Sequence, residues 1–155
     1  SAFANGGTFV QPKLIDRIGA GGGAPEEPWP VTEKGRLPLT DEQIAVINES
    51  LWNVANGPWG TATNRFEGLP LQVAGKTGTA EAPPNNSHAW FAGYAPAAPY
   101  TRADGTVIAE PEIAIAVIVE NGGEGSVVSA PIFRRIVELY YGIEPTPYHW
   151  RGETS

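Results

Sequence analysis

The sequence predicts an α+β domain in which an antiparallel sheet of about three main strands packs against a C-terminal helix. Three runs in the second half of the chain have strand composition, at residues 72–81, 88–94 and 112–120. The links between them carry turn residues, which favours antiparallel neighbours. Segments with apolar residues at helical spacing precede and follow these three runs.

The first forty residues predict little regular structure. Residues 1–7 look like the last turn of a helix, because Asn-Gly-Gly is a common helix stop. Residues 8–18 alternate in polarity and predict one or two short edge strands, with Pro12 weakening the first half. Residues 19–38 hold a Gly-Gly-Gly run and four prolines, so they predict a loop or an irregular ribbon.

Residues 40–56 form the clearest predicted helix. Thr40 and Gln43 have the spacing of a capping box, and Gly57 with Pro58 closes the segment. One face is apolar at helical spacing and should pack inward; it consists of Ile44, Ile47, Leu51 and Val54.

The strand at 112–120 is almost entirely β-branched residues or alanine, so both of its faces are predicted to be covered. Residues 95–111 predict a surface hairpin loop that turns at Asp104 and Gly105.

The last helix begins near residue 127 or 129 and ends at Tyr141 before Gly142. Its apolar face comprises Ile132, Phe133, Ile136, Val137 and Tyr140. Residues 143–155 predict a loose tail that Tyr148 and Trp150 could pin.

Composition limits the class of function. The 155 residues suit one domain, and a net charge of −7 argues against nucleic acid or an anionic membrane surface as a partner. The longest apolar run, residues 113–119, is far below the roughly 18 residues that a membrane span needs. Without cysteine, a structural zinc site is not expected. The chain lacks methionine and begins in the middle of a pattern, so we expect it to be a piece of a longer protein.

The segment Gly75-Lys76-Thr77-Gly78-Thr79 carries the predicted chemistry. Glycines on a strand let a ligand approach the backbone, and a Lys ammonium and a Thr hydroxyl both donate to a carboxylate. A phosphate-binding P-loop is disfavoured, because Pro70 stands where its first glycine belongs and no helix can follow Thr79. An ordinary edge strand without chemistry stays open on this motif alone.

Lys-Thr-Gly is also one of the sequence boxes of penicillin-recognising serine enzymes. Six segments of this chain resemble class B penicillin-binding proteins, in that family's order, and the likeness is greatest to the penicillin-binding protein 2 type. They are residues 4–8, 60–62, 73–81, 88–96, 119–123 and 130–134. The resemblance implies a partial penicillin-binding, serine β-lactamase-like transpeptidase fold, with residues 1–155 as the C-terminal part of the domain.

The resemblance also implies roles for four residues. Lys76 would bring positive charge to the cleft, and Thr77 would bind the carboxylate of the substrate or β-lactam. Gly78 would keep the strand edge open, and the backbone N–H of Thr79 would form half of the oxyanion hole. The family's nucleophile box, Ser-x-x-Lys, is absent, because the residues three before the three lysines are Val10, Val31 and Val73. A Ser-x-Asn box is absent as well.

On this resemblance the parent protein is a D,D-transpeptidase that cross-links peptidoglycan stem peptides and is acylated by β-lactams. It needs no metal or organic cofactor and works outside the cytoplasm, anchored by an N-terminal membrane helix. The chain alone would be inactive, and would associate with the missing N-terminal half or with itself. A β-lactam-sensing domain, a serine β-lactamase and a non-catalytic binding module remain as alternatives.

Overall fold

The computed structural model describes residues 1–14, 17–18, 27–28 and 30–147. Over these residues the chain forms three helices and nine strands. The helices are α1 (Asp41–Asn56), α2 (Thr63–Phe66) and α3 (Ser129–Tyr141). The strands are β1 (Thr8–Val10), β2 (Arg17–Ile18), β3 (Glu27–Pro28), β4 (Glu33–Arg36), β5 (Ala74–Ala82), β6 (Asn85–Ala95), β7 (Tyr100–Thr101), β8 (Val107–Ile108) and β9 (Ile113–Val119). The predicted α+β class is confirmed.

The central sheet has the strand order β5-β6-β9, and both pairings are antiparallel. Thr77 lies opposite Phe91, and Phe91 lies opposite Val117. The three strands predicted from the sequence are therefore present, with β6 longer at both ends than expected. This register places Thr77, Phe91 and Val117 on one face, since paired residues of an antiparallel sheet point to the same side.

The core lies between that face of the sheet and α3. Phe91, Phe133 and Val137 are fully buried, with exposed fractions of 0%. Phe66 of α2 joins them: its ring centroid lies 5.4 Å from that of Phe91 and 6.0 Å from that of Phe133. The Phe91 and Phe133 rings are 4.7 Å apart. These tilted and edge-on contacts fix how α2, β6 and α3 pack together.

The opposite face of β9 is exposed, which corrects the prediction that both faces are covered. Ala114, Ala116 and Ile118 point to this outer face and are exposed, as is Trp90 of β6. A strand made only of apolar residues can be buried on one face or on both, and its composition does not show which. The outer face is thus an open apolar surface along β9 in the described part of the chain. Toward β5 it is partly covered, because Phe3 and Leu51 lie beside it and Tyr94 is only 8% exposed.

At the end of helix α3, the residue buried against the rest of the fold is Tyr141 and not the predicted Tyr140. Tyr140 is 48% exposed, whereas Tyr141 is 7% exposed and its hydroxyl donates to Ala95 O at 2.8 Å. Burial raises the pKa of Tyr141 above its ordinary value. Gly142 then ends the helix in the left-handed conformation at φ 65°, as the sequence predicts.

Helix α1 begins and ends as predicted. The side chain of Thr40 accepts from Gln43 N at 3.3 Å, and Gln43 Oε1 accepts from Thr40 N at 2.9 Å, which completes the capping box. Ile44 is buried, and Ile47, Leu51 and Val54 are half-buried.

The first residues form one helical turn that Gly6 ends in the left-handed conformation at φ 59°, in line with the predicted helix stop. Strand β1 pairs with β4 and β2 pairs with β3, so the prediction of a loop or irregular ribbon across 19–38 is wrong at Glu27–Pro28 and Glu33–Arg36. The four residues of β4 are all exposed and give no alternating pattern from which a strand could be predicted. Residues 15–16, 19–26 and 29 of the two predicted N-terminal segments lie outside the described residues.

Strands β7 and β8 form the predicted surface hairpin, whose turn is closed by Asp104 Oδ1 accepting from Thr106 N at 2.9 Å.

In residues 143–147, the Thr146 hydroxyl accepts from Arg134 Nη2 at 2.7 Å, and Thr146 O accepts from Arg135 Nη2 at 2.8 Å. The loose tail stays a prediction: its described part is anchored in this way, while Tyr148 and Trp150 lie outside the described residues. Among the described helices none has the length and apolar character required to cross a bilayer.

Candidate active site

Strand β5 lies at one edge of the central sheet in the described part of the chain. It pairs with β6 along its length, from Ala74 opposite Tyr94 to Ala82 opposite Asn85. In the sheet order β5-β6-β9 it has no neighbour on its other side. The backbone N–H and C=O groups on that side have no partner strand among the described residues, and an edge of this kind is where an extended ligand can add to a sheet.

The four predicted site residues follow one another along this edge strand. Lys76 and Thr79 are exposed, and Thr77 and Gly78 are half-buried. The Lys76 ammonium donates to Thr77 O at 2.7 Å and to Thr77 Oγ1 at 3.3 Å. A positive charge and a hydroxyl are thereby held together, which is a donor set suited to a carboxylate.

The strand context also separates this segment from a phosphate-binding loop. A P-loop needs a helix directly after its Gly-Lys pair, whereas β5 continues as a strand to Ala82. At Gly78 an added Cβ would lie 3.0 Å from Trp90 Cβ, so a larger residue would press on β6. Glycine is therefore favoured at this position by the packing of β5 against β6.

Thr61 is a candidate site residue that the sequence analysis did not assign. Its Oγ1 lies 2.9 Å from Thr77 Oγ1, close enough for a hydrogen bond in which either hydroxyl is the donor. The only sequence signal was the Gly60-Thr61-Ala62 step among the family-like segments. The two threonines are 16 positions apart and meet through the tertiary packing of α1, α2 and β5.

The backbone on both sides of Thr61 is fixed against the end of α1. An added Cβ at Gly60 would overlap the carbonyl oxygens of Asn53 and Val54, so this close approach requires glycine. Ala62 is completely buried, and its N–H donates to Val54 O at 3.0 Å. Thr61 is thus placed by its neighbours, while its own side chain stays exposed toward Thr77.

Helix α1 is in turn attached to the start of β5. Asn56 Nδ2 donates to Val73 O and to Trp52 O, both at 2.8 Å. Trp52 Nε1 donates to Gln72 Oε1 at 2.8 Å. These bonds connect the helix that positions Thr61 to the strand that carries Thr77.

Arg134 of α3 holds α2 against α3 and also pairs with the buried Glu138 of its own helix. Arg134 Nε donates to Glu138 Oε1 at 2.8 Å, and its Nη1 donates to Arg65 O and Glu67 O at 2.8 and 2.9 Å. In the opposite direction, Arg65 Nε of α2 donates to Ser126 O, just before α3, at 3.0 Å. Burial by itself raises the pKa of Glu138, but the bonds from Arg134 and Thr146 outweigh it and hold that pKa below its ordinary value.

The serines and the histidine nearest the site have other partners. Ser126 Oγ donates to Glu124 Oε1 at 2.8 Å, and the buried Ser129 Oγ donates to Ala89 O at 2.9 Å. His88 Nδ1 accepts from Asn121 N at 3.0 Å. None of these contacts pairs a serine with a histidine or a lysine.

The family model described as "Penicillin binding protein transpeptidase domain" matches residues 1–138. The peptidoglycan D,D-transpeptidase MrdA of Salmonella typhimurium is 31% identical over 160 aligned positions, which cover 88% of this chain and 23% of that protein. The chain therefore spans about a quarter of the length of this curated relative.

Two solved structures have similar folds. Pseudomonas aeruginosa PBP2, in complex with WCK 5153, superposes with a TM-score of 0.69 at 28% identity, over 99% of this chain and 30% of that one. Penicillin-binding protein A from M. tuberculosis, as an imipenem acyl-enzyme, gives a TM-score of 0.68 at 26% identity, over 90% and 28%. An antiparallel sheet with a Lys-Thr-Gly edge strand and a covering helix thus defines this chain as part of the penicillin-binding transpeptidase fold. The chain belongs to the penicillin-binding-protein transpeptidase domain family, and its relatives are class B proteins of the penicillin-binding protein 2 type.

Proposed function

We propose that residues 1–155 are the C-terminal part of the transpeptidase domain of a peptidoglycan D,D-transpeptidase, and that they carry one wall of its active site. The observation that carries the proposal is the open edge of β5, where Lys76, Thr77, Gly78 and Thr79 follow one another. The family match over residues 1–138 supports it independently.

Each of the four residues has a distinct role in this proposal. Lys76 supplies positive charge to the cleft, and its exposed ammonium is within reach of Thr77. Thr77 donates its hydroxyl to the carboxylate of the substrate or of a β-lactam. Gly78 leaves the strand edge open, and the backbone N–H of Thr79 is one of two donors to the oxyanion.

The nucleophile comes from residues outside this chain. No Ser-x-x-Lys box can be formed with the lysines at positions 13, 34 and 76. An oxyanion hole with one of its donors removed loses about 2.7–4 kcal/mol of transition-state stabilisation, and here the attacking hydroxyl would be missing too. The chain alone is therefore inactive toward both stem peptides and β-lactams.

The reaction is an acyl transfer in two steps. The serine oxygen attacks the carbonyl carbon of the penultimate D-alanine, and the peptide bond to the terminal D-alanine breaks as that residue leaves with a proton. An amine of a neighbouring stem peptide then attacks the acyl-serine, restoring the serine and forming the cross-link. A β-lactam mimics the first step, and the imipenem acyl-enzyme of the M. tuberculosis relative supports this part of the proposal.

The missing N-terminal half covers the outer face of the central sheet in this proposal. Ala114, Ala116 and Ile118 are exposed there, and their small or apolar side chains would be stabilised by burial. Without that half, the same surface would favour self-association. The complete protein works outside the cytoplasm and is anchored by an N-terminal membrane helix.

Covalent labelling by a fluorescent penicillin tests the proposal. The complete natural protein should be labelled, the isolated chain should not, and mixing the chain with the purified upstream half should restore label on that half. A Thr77→Val variant of the complete protein should label about 10- to 100-fold more slowly, the range expected for a hydrogen bond to a charged group. Thr101→Val, the same change on the distant strand β7, should have no effect. Label on the isolated chain would contradict the assignment of the nucleophile.

A further inference from the structure

The hydroxyl of Thr61 is the closest side-chain partner of Thr77 from outside β5, at 2.9 Å between the two Oγ1 atoms. We propose that Thr61 is a positioning residue that donates its hydroxyl proton to Thr77 Oγ1, so that Thr77 keeps its own proton for the carboxylate of the substrate. This inference rests on the proposed function, because it explains how Thr77 is prepared for the role assigned to it there.

The direction of the bond follows from the number of donors and acceptors on each group. A threonine hydroxyl has one proton to donate and two lone pairs that accept. Lys76 Nζ, an ammonium that can only donate, lies 3.3 Å from Thr77 Oγ1 and takes one lone pair. A carboxylate can only accept hydrogen bonds, so Thr77 has to donate its single hydroxyl proton to it. The bond to Thr61 must then be one in which Thr61 is the donor.

Two donors on the Thr77 oxygen also strengthen the bond that Thr77 makes. Hydrogen bonds in a chain polarise one another, and a hydroxyl that accepts is a better donor. Thr61, Thr77 and the carboxylate would form such a chain, with Lys76 adding positive charge beside it. Without Thr61, the Thr77 hydroxyl could rotate and donate to water instead of to the carboxylate.

The placement of Thr61 is built into the fold. Gly60 fits only because it lacks a side chain, and Ala62 is completely buried and bonded to Val54 O. Asn56 attaches the same helix to Val73 at the start of the strand that carries Thr77. The Thr61 hydroxyl is therefore presented at a fixed position, although the side chain itself is exposed and contributes little to the hydrophobic core.

The test measures acylation of the complete natural protein by benzylpenicillin, with the dissociation constant of the first complex and the acylation rate determined separately. Thr61→Val removes the hydroxyl and keeps the shape. It should lower acylation efficiency about fivefold, mainly through weaker initial binding, which corresponds to about 1 kcal/mol. Thr61→Ser should restore efficiency to within about twofold, because it keeps the donor. Thr101→Val serves as the matched control and should leave both constants unchanged.

A double variant separates positioning from a merely structural role. If Thr61 acts through Thr77, then Thr61→Val should have no further effect in a Thr77→Val background. A fivefold loss in both backgrounds, or a Thr61→Ser variant as poor as Thr61→Val, would overturn the inference. Unchanged kinetics of Thr61→Val in a protein that penicillin does label would overturn it as well. A wild-type protein that penicillin does not acylate would instead overturn the proposed function itself.

Discussion

The ion pair between Arg134 and Glu138 offers the sharpest test of how the fold is held together. Their side chains are 12% and 1% exposed, so the pair is buried. Removing one partner of a buried pair costs about 3–5 kcal/mol, because the other charge is left without compensation. In Glu138→Gln the guanidinium still donates to the carbonyl oxygens of Arg65 and Glu67 and to Thr146. We therefore expect the lower end of the range, about 3 kcal/mol.

Thermal unfolding of the complete protein measures this loss. About 3 kcal/mol lowers the midpoint by about 6–12 °C for a domain of 150–250 residues. The control is Glu112→Gln, which breaks the Arg102–Glu112 pair, 2.9 Å long, whose side chains are 33% and 36% exposed. A pair this exposed contributes less than about 1 kcal/mol, so its loss should shift the midpoint by no more than about 4 °C.

The pH dependence of the same variant has a definite sign. The pKa of Glu138 in the folded protein lies below its ordinary value of 4.5. The stabilisation is therefore fully present above that ordinary pKa and is lost as the pH falls through the lowered one. The difference between wild type and Glu138→Gln should stay constant from pH 7 to about pH 5 and shrink in stronger acid. Equal shifts for the two variants, or a difference that acid does not change, would refute the reasoning.

Two further substitutions test the helix cap and the packing of the sheet. Thr40→Ala should lower the free energy of unfolding by about 1 kcal/mol in urea titrations, because it removes the side-chain acceptor for Gln43 N, and Thr40→Ser should keep most of it. No difference between the two would mean that the cap does not stabilise α1. Gly93→Ala should cost about 1–3 kcal/mol in the same assay, since its Cβ would overlap Ala74 O and lie 3.1 Å from Phe133 Cζ. An unfolding curve that coincides with wild type would show that β5 and β6 can separate at this point without loss.

The elements that local sequence determines were predicted well. Helix α1 has its own start signal in Thr40 and Gln43, and its length follows from regular apolar spacing. Strands β6 and β9 were predicted from their aromatic and β-branched residues, and β5 from its apolar lead-in and its Gly-Lys-Thr-Gly-Thr segment. Gly142 ended α3 as expected, since a left-handed residue is needed there.

The elements that depend on distant partners were not predicted. Strand β4 exists because its backbone pairs with β1. Its four side chains are all exposed, so the sequence shows no alternation of polarity that would predict a strand. Helical spacing alone did not decide between Tyr140 and Tyr141, because both border the apolar arc of α3. Likewise, Lys76, Thr77 and Thr79 are predicted as site residues from one short motif, whereas the contact of Thr61 with Thr77 requires α1 and α2 to be in place.

Helix α1 acts mechanically as a rigid rod between two ends of the molecule. At its start Arg36 of β4 pairs with Asp41, and in its middle Asn48 Nδ2 donates to Phe3 O at 3.1 Å. Its 16 residues span about 24 Å and end beside Gly60. A tilt of about 5° about the first turn would move the far end by about 2 Å, a displacement comparable with the length of one hydrogen bond. The N-terminal turn and the Thr61 segment thus contact the same helix, so a displacement of α1 at Phe3 would also move the Thr61 hydroxyl.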